Sequence, residues 1–196
     1  MFSTYTEPFL DRIQVSYHFT DLEMKRLKYT LKAVSSELVK TLLLALLFYQ
    51  LGYFKEFFVG IIFLVTIRCN CGGLHMEHFT TCLLFTLVFM SLAVIILPTY
   101  VSISYVLKIF ALVVCIAVTF IIGPIASKKR PPAPPEMLRR FRNITIGLLV
   151  MDSIIILLLK TNPYADICFW IIVLQTIQLV GAKLAQKGEN NEKVQQ

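Results

Sequence analysis

Six apolar runs follow one another along this chain, and they constrain the fold more than any other feature. They cover about Leu38–Phe54, Phe57–Ile67, Phe79–Leu97, Ile103–Ile125, Ile144–Leu159 and Ala165–Ala182. A helix crossing the hydrocarbon core of a bilayer needs roughly 20 apolar residues. Backbone polar groups in lipid must bond internally, so such runs become helices. The expected fold is all-α: a polytopic integral membrane protein of about six transmembrane helices with an N-terminal amphipathic segment. Composition agrees. The chain is 57% hydrophobic and only 16% charged, whereas a soluble surface carries about 25–35% charged residues. With 196 residues, six spans of roughly 20 leave only loops and tails. Any chemistry must therefore sit in the bundle or at its edge.

The chain reads as one membrane domain, 1–196. Residues 1–36 are mixed in polarity and match either a surface-lying amphipathic arm or a solvated one. Their apolar content comes too late and too thinly for a cleavable signal. Residues 38–125 hold four runs. The second has 11 residues before Arg68, so it must continue through Arg68 or end irregularly. Residues 126–142 form a basic, proline-rich linker, in which Pro131–Pro135 forbids regular helix. Residues 143–182 hold two more runs, and 183–196 form a polar tail. Pro124 is positioned to bend the end of the fourth run.

The net charge of +7 suggests nucleic acid until its distribution is considered. The basic residues lie between apolar runs, as membrane topology signals do, and no aromatic-interleaved basic face accompanies them. Nucleic acid is therefore not an expected partner, whereas the lipid bilayer is. With both termini inside, sixteen of the 19 basic residues fall on the inner side, six of them up to Lys40. The outer side keeps Lys55, Lys108 and Lys160. Positive residues favour the cytoplasm, so both ends, the Gly72–Gly73 region and the linker are expected there.

The densest chemistry lies in Arg68–Cys69–Asn70–Cys71–Gly72–Gly73–Leu74–His75–Met76–Glu77–His78, followed by Cys82. A cysteine is a nucleophile as its thiolate, which an imidazole can generate. His78, four residues before Cys82, has neighbour spacing on one helix. His75, seven before, shares a face but lies about 10.5 Å along a straight axis. It reaches Cys82 only if the chain bends between them, and spacing alone does not choose. Gly72–Gly73 permits a sharp turn and a close approach by another chain, and its N–H groups suit an oxyanion. It also suits a plain interhelical turn.

Cys69, Cys71, His75 and His78 offer zinc donors, but the tight Cys-x-Cys spacing is not a standard pattern. No metal and no cofactor are expected. Arg68 reads as an inner-edge anchor or as a clamp for a carboxylate or developing negative charge. Asp152, an intramembrane carboxylate, should face the bundle interior. It is a candidate for substrate binding, as are Lys128, Lys129 and Arg130, which suit an acidic peptide or anionic lipid equally.

The motif Arg68–x–x–x–Gly72–Gly73–x–His75, with Cys82 seven residues on, resembles the signature of the accessory gene regulator B family. Chain length, six-run hydropathy and the Gly123–Pro124…Lys128–Lys129–Arg130–Pro131 stretch extend the resemblance over nearly the whole chain. The resemblance implies a bacterial cell-membrane cysteine endopeptidase of quorum sensing. Such an enzyme processes a small amphipathic precursor peptide into a cyclic thiolactone or lactone. It implies His75 as the catalytic base, Cys82 as the nucleophile, Arg68 and Gly73 as supporting residues, and homodimerisation. The preference for His75 over His78 comes from this resemblance and requires a bend before Cys82. Cys69 and Cys71 are not part of the family pattern. The alternative reading is a non-proteolytic peptide transporter or exporter.

Overall fold

The computed structural model describes residues 19–72, 78–125, 134–159 and 161–194. They form helices α1 (Asp21–Gln50), α2 (Phe54–Cys71), α3 (Phe79–Ser91), a π-helical segment (Leu92–Ile96), α4 (Leu97–Tyr100), α5 (Tyr105–Ile122), α6 (Pro135–Leu158) and α7 (Pro163–Val194). Among the described residues there is no β-strand, only one isolated bridge. Four helical stretches are long and apolar enough to cross a membrane: Phe79–Tyr100, Tyr105–Ile122, Pro135–Leu158 and Pro163–Gln186. Four of the about six expected spans are thus shown by length and composition; α1 and α2 are helical but fall outside that set. The other two helices carry charges within their apolar stretches. The apolar half of α1 carries Glu37 and Lys40, and the 18 residues of α2 carry Lys55, Glu56 and Arg68.

Several boundaries differ from the sequence reading for identifiable reasons. α1 runs unbroken through the point where the N-terminal arm was expected to meet the first span. Its start is a capping box. The Thr20 hydroxyl accepts from the Glu23 amide (3.4 Å), and the Glu23 carboxylate accepts from the Thr20 amide (2.9 Å), which satisfies two donors at the helix end. α2 does continue through Arg68, stopping at Cys71. Pro98 lies within the third crossing. It cannot donate a helical hydrogen bond and crowds the preceding turn. The wider π segment Leu92–Ile96 just before it absorbs the mismatch, with the Leu97 amide bonding the Leu92 carbonyl. α5 ends at Ile122, three residues earlier than expected. Gly123 there adopts φ +66°, and Pro124 lies beyond the helix rather than bending it. α6 begins at Pro135, in the first turn where proline is tolerated. α7 extends through Val194, past the expected start of the polar tail.

α7 is the central post. Its buried face packs against α2, α5 and α6 and supplies Ala165, Cys168, Phe169, Ile172 and Leu179 to one core cluster. Ile167 and Ile171 enter a second cluster with Leu44 and Phe48 of α1, Phe57 and Leu64 of α2, and Phe89 and Met90 of α3. Phe48 and Phe57 stack at 4.8 Å there, joining α1 to α2. Outward faces are lined by exposed large apolar side chains, among them Leu42, Val106, Phe110, Ile121 and Leu158. An exterior of this kind is unfavourable in water and neutral against lipid tails.

Two ends of the bundle follow from helix direction. One gathers the end of α2, the start of α3, the end of α5 and the start of α6. At the other, Lys108 of α5 pairs with Asp166 of α7.

Candidate functional site

Helix α2 stops because Gly72 adopts φ +76°, ψ −153°, a region essentially closed to other residues. Its amide still donates to the Arg68 carbonyl (3.0 Å). The chain beyond α5 then lies against this turn. The Ile125 amide donates to the Cys71 carbonyl (3.0 Å), and Gly72 and Ile125 form a parallel bridge. A Cβ on Gly72 would overlap the Ile125 carbonyl oxygen. The second glycine requirement is thus a close approach by another chain segment, between residues 53 positions apart in sequence. The Gly72 carbonyl accepts from the amide of Gln175 in α7 (3.0 Å). Gln175 is 2% exposed and ties the turn to the central helix.

Helix α3 starts afresh at Phe79, with His78 as its extended N-cap residue (φ −95°, ψ 139°). The helix that carries Cys82 therefore does not run back through His78, and the same-helix neighbour spacing of His78 and Cys82 does not apply. His75 and Gly73 lie outside the described residues, as do Lys128, Lys129 and Arg130. His78 is exposed at the mouth of α3.

Cys82 is the fourth residue of α3 and is 2% exposed. Side chains on a helix lean toward its N-terminus, so the sulfur tilts over the first turn, where the helix dipole is positive. Lys40 of α1, also 2% exposed, donates from Nζ to Cys82 Sγ at 3.1 Å. Nζ also pairs with the Glu37 carboxylate one turn earlier and lies 6.0 Å from the centre of the Phe79 ring.

Asp152 of α6 is 3% exposed and faces the interior. Thr66 of α2 and Cys168 of α7 are close enough to interact with its carboxylate. Its Oδ2 has no hydrogen-bond partner among the described residues. Neighbouring Ser153 bonds its own helix, at the Leu149 carbonyl (2.6 Å). Asp152 thus shares the bundle interior with α2 and α7. Arg68 occupies the last turn of α2, half-buried. Cys69 is exposed while Cys71 is buried, because adjacent-but-one positions on a helix face apart. They do not present a paired donor set. Among the described residues no cluster of three or more His, Cys, Asp or Glu has metal-site geometry. None of the five cysteines forms a disulfide.

The sequence reading missed Lys40 and Gln175. Both left a signal: a lysine and an amide inside otherwise apolar runs are costly unless partnered.

The geometry joins a glycine turn, a fresh helix start and a buried sulfur within one stretch of chain, and the family comparison covers that whole stretch. The model for Accessory gene regulator B matches residues 7–179. This chain belongs to the accessory gene regulator B family. That family takes part in the processing of quorum-sensing peptides. A Clostridium beijerinckii protein described as AgrB-like is 24% identical over 159 residues, covering 81% of this chain and 77% of its own length. No solved structure matches the chain. The four apolar helices and the family together make this accessory gene regulator B member a membrane protein.

Proposed function

We propose that this family member is a membrane cysteine endopeptidase that cleaves a small amphipathic precursor peptide and closes the retained part into a thiolactone or lactone signal. The observation that carries the reading is the position of Cys82. Its reduced sulfur is buried on the first turn of a membrane-length helix, directly after a glycine turn that interrupts the chain. A sulfur shielded from water in this way suits acyl transfer better than hydrolysis.

In the proposed reaction His75 takes the Cys82 proton, and the sulfur attacks a precursor carbonyl. The C–S bond forms as the scissile C–N bond breaks, and the proton passes from His75 to the departing amine. The backbone amide of Gly73 and those of the first turn of α3 are the donors proposed for the oxyanion. The thiol or hydroxyl of an internal precursor Cys or Ser then attacks the acyl-enzyme. Its proton returns to Cys82 as the ring closes. When the attacker is a thiol, one thioester replaces another, so the second step needs no outside energy source.

Arg68, Gly72 and Gly73 support the turn. Lys128, Lys129, Arg130 and Asp152 are proposed substrate contacts, the basic ones matching an acidic precursor tail. The proposed topology places both termini and the motif on the cytoplasmic side, with α1 and α2 completing a six-crossing bundle. Homodimerisation belongs to the same proposal.

The test uses full-length protein in liposomes with synthetic amphipathic peptides that carry an internal Cys and an acidic C-terminal segment. Product masses are then determined. Cys82→Ala and His75→Ala should leave the peptide intact while still inserting, and His78→Ala should retain most cleavage. Normal cleavage by Cys82→Ala sinks the endopeptidase reading. Uncleaved peptide accumulating across the bilayer with the parent protein points to a transporter instead.

A further inference from the structure

We infer that Lys40 of α1, braced by Glu37, is the cation that keeps the Cys82 sulfur in its charged, nucleophilic form, giving the site a catalytic group outside the 68–82 motif. The inference rests on Cys82 being the nucleophile.

A lysine in an apolar helix has an easy escape: its long stem lets the ammonium reach the polar boundary. Lys40 does not take it. The side chain turns inward until it is 2% exposed and places Nζ 3.1 Å from Cys82 Sγ, across 42 residues of sequence. Burying an ammonium is costly, so its partners must compensate. An ammonium has three donors. One meets Glu37, a single turn back on the same helix and about half exposed. Another meets the sulfur, and the Phe79 ring lies on the same side at 6.0 Å.

A neutral thiol is a weak acceptor, whereas a thiolate is a full anion. The arrangement therefore gains most when Cys82 is charged, since a second anion then shares the buried ammonium with Glu37. The positive end of α3 acts on the sulfur in the same direction. His78, exposed at the mouth of α3, is the other described ionisable group nearby in sequence.

The division of labour follows. His75 moves the proton from sulfur to leaving amine. Lys40 transfers no proton. It stays an ammonium and holds the charge on sulfur before attack and again when the thiolate departs from the acyl-enzyme.

A purely structural Lys40–Glu37 pair makes a different prediction from this one, and two substitutions separate them. The readout is the thiolate ultraviolet absorbance of full-length protein in detergent at neutral pH, taken as the difference from Cys82→Ala. Lys40→Met should lower the difference signal by roughly tenfold, the effect expected for removing an adjacent opposite charge. It should slow cleavage of the synthetic peptides correspondingly. Lys40→Arg should keep most of the signal. Glu37→Gln should keep or raise it, because the competing anion is gone.

An unchanged thiolate signal in Lys40→Met overturns the inference. So does an equal fall in Lys40→Met and Glu37→Gln, which is the signature of a merely structural pair. Should Lys40→Met fail to fold by circular dichroism, Glu37→Gln and Lys40→Arg decide: a fall in either overturns the role. The absorbance needs no substrate. A failed Lys40 result with Cys82→Ala still inactive leaves the endopeptidase reading standing, and an active Cys82→Ala removes that reading by itself.

Discussion

Replacing Gly72 with alanine should be far more damaging than its small size suggests, and the structure supplies its own controls. Three glycines differ in only two respects. Gly147 lies inside α6 with ordinary backbone angles, and a Cβ there meets nothing within 4 Å. Gly52 has φ +80° but is also in open space. Gly72 has φ +76°, and its Cβ would overlap the backbone of Ile125. Gly147→Ala should stabilise by up to about 1 kcal/mol, through helix propensity. Gly52→Ala should cost about 1 kcal/mol, for a left-handed backbone alone.

Gly72→Ala incurs at least that strain, its φ +76°, ψ −153° lying in a region essentially restricted to glycine, and also pushes the Ile125 carbonyl back by roughly 1 Å. The Ile125–Cys71 hydrogen bond, typically worth about 1 kcal/mol, goes with it. The Gln175–Gly72 bond is endangered too. The expected total is about 3 kcal/mol or more. The excess over Gly52→Ala, about 2 kcal/mol, corresponds to roughly thirtyfold in the unfolding equilibrium. Reversible unfolding in mixed micelles by added dodecyl sulfate measures all three. Equal losses for Gly72→Ala and Gly52→Ala would refute the argument that the Gly72 turn is set by contact with the chain after α5.

Other expectations follow from the same packing. Gln175→Leu should destabilise by about 0.5–2 kcal/mol in the same assay, the range for an interhelical hydrogen bond in a membrane bundle; a neutral result would mean the amide does not tie the turn to α7. Asp152→Asn should leave the unfolding midpoint unchanged or raised, because it removes a buried carboxylate whose Oδ2 lacks a partner; if Asp152 binds substrate, KM should rise while stability holds. At the start of α1, the backbone amide of Thr20, and then its hydroxyl, hold the Glu23 carboxyl below its ordinary range. The folded value is depressed, so the cap's contribution is complete above the ordinary glutamate range and is lost as pH falls through the lowered value. Amide protection factors at Glu23 and Met24 should fall over that window, and Glu23→Gln should remove the pH dependence.

Much of the architecture was legible because lipid allows few solutions. The apolar runs located α5, α6 and α7 to within a few residues of one end or the other, and periodicity was not needed. Boundaries failed where tertiary structure or local chemistry intervened. Thr20–x–x–Glu23 is a readable capping box, and giving it weight would have started α1 there and joined arm to span. The third run was read as ending at Leu97, yet after a π segment the helix continues past Pro98 to Tyr100. The early end of α5 was readable in Gly123–Pro124, a local stop signal; that Ile125 then meets Cys71 is encoded by no local pattern.

At the site, the need for glycine was visible, but the choice of Gly72 as the contact point, and of Ile125 as its partner, was not. Lys40 was read only as part of the inner positive charge. Its partner lies 42 residues on, on another helix. The intramembrane lysine and glutamine were the available clues, since a buried polar group in an apolar run must find a partner somewhere.

The central claim is that Cys82 carries the cleaved peptide as a thioester. Full-length protein mixed with the synthetic peptide, quenched in acid within one turnover and digested, allows the fragment containing Cys82 to be weighed. The account predicts an added mass equal to the peptide's N-terminal part, released by hydroxylamine and absent from Cys82→Ala. Cleavage proceeding at full rate with no such adduct, and undiminished in Cys82→Ala, would contradict it.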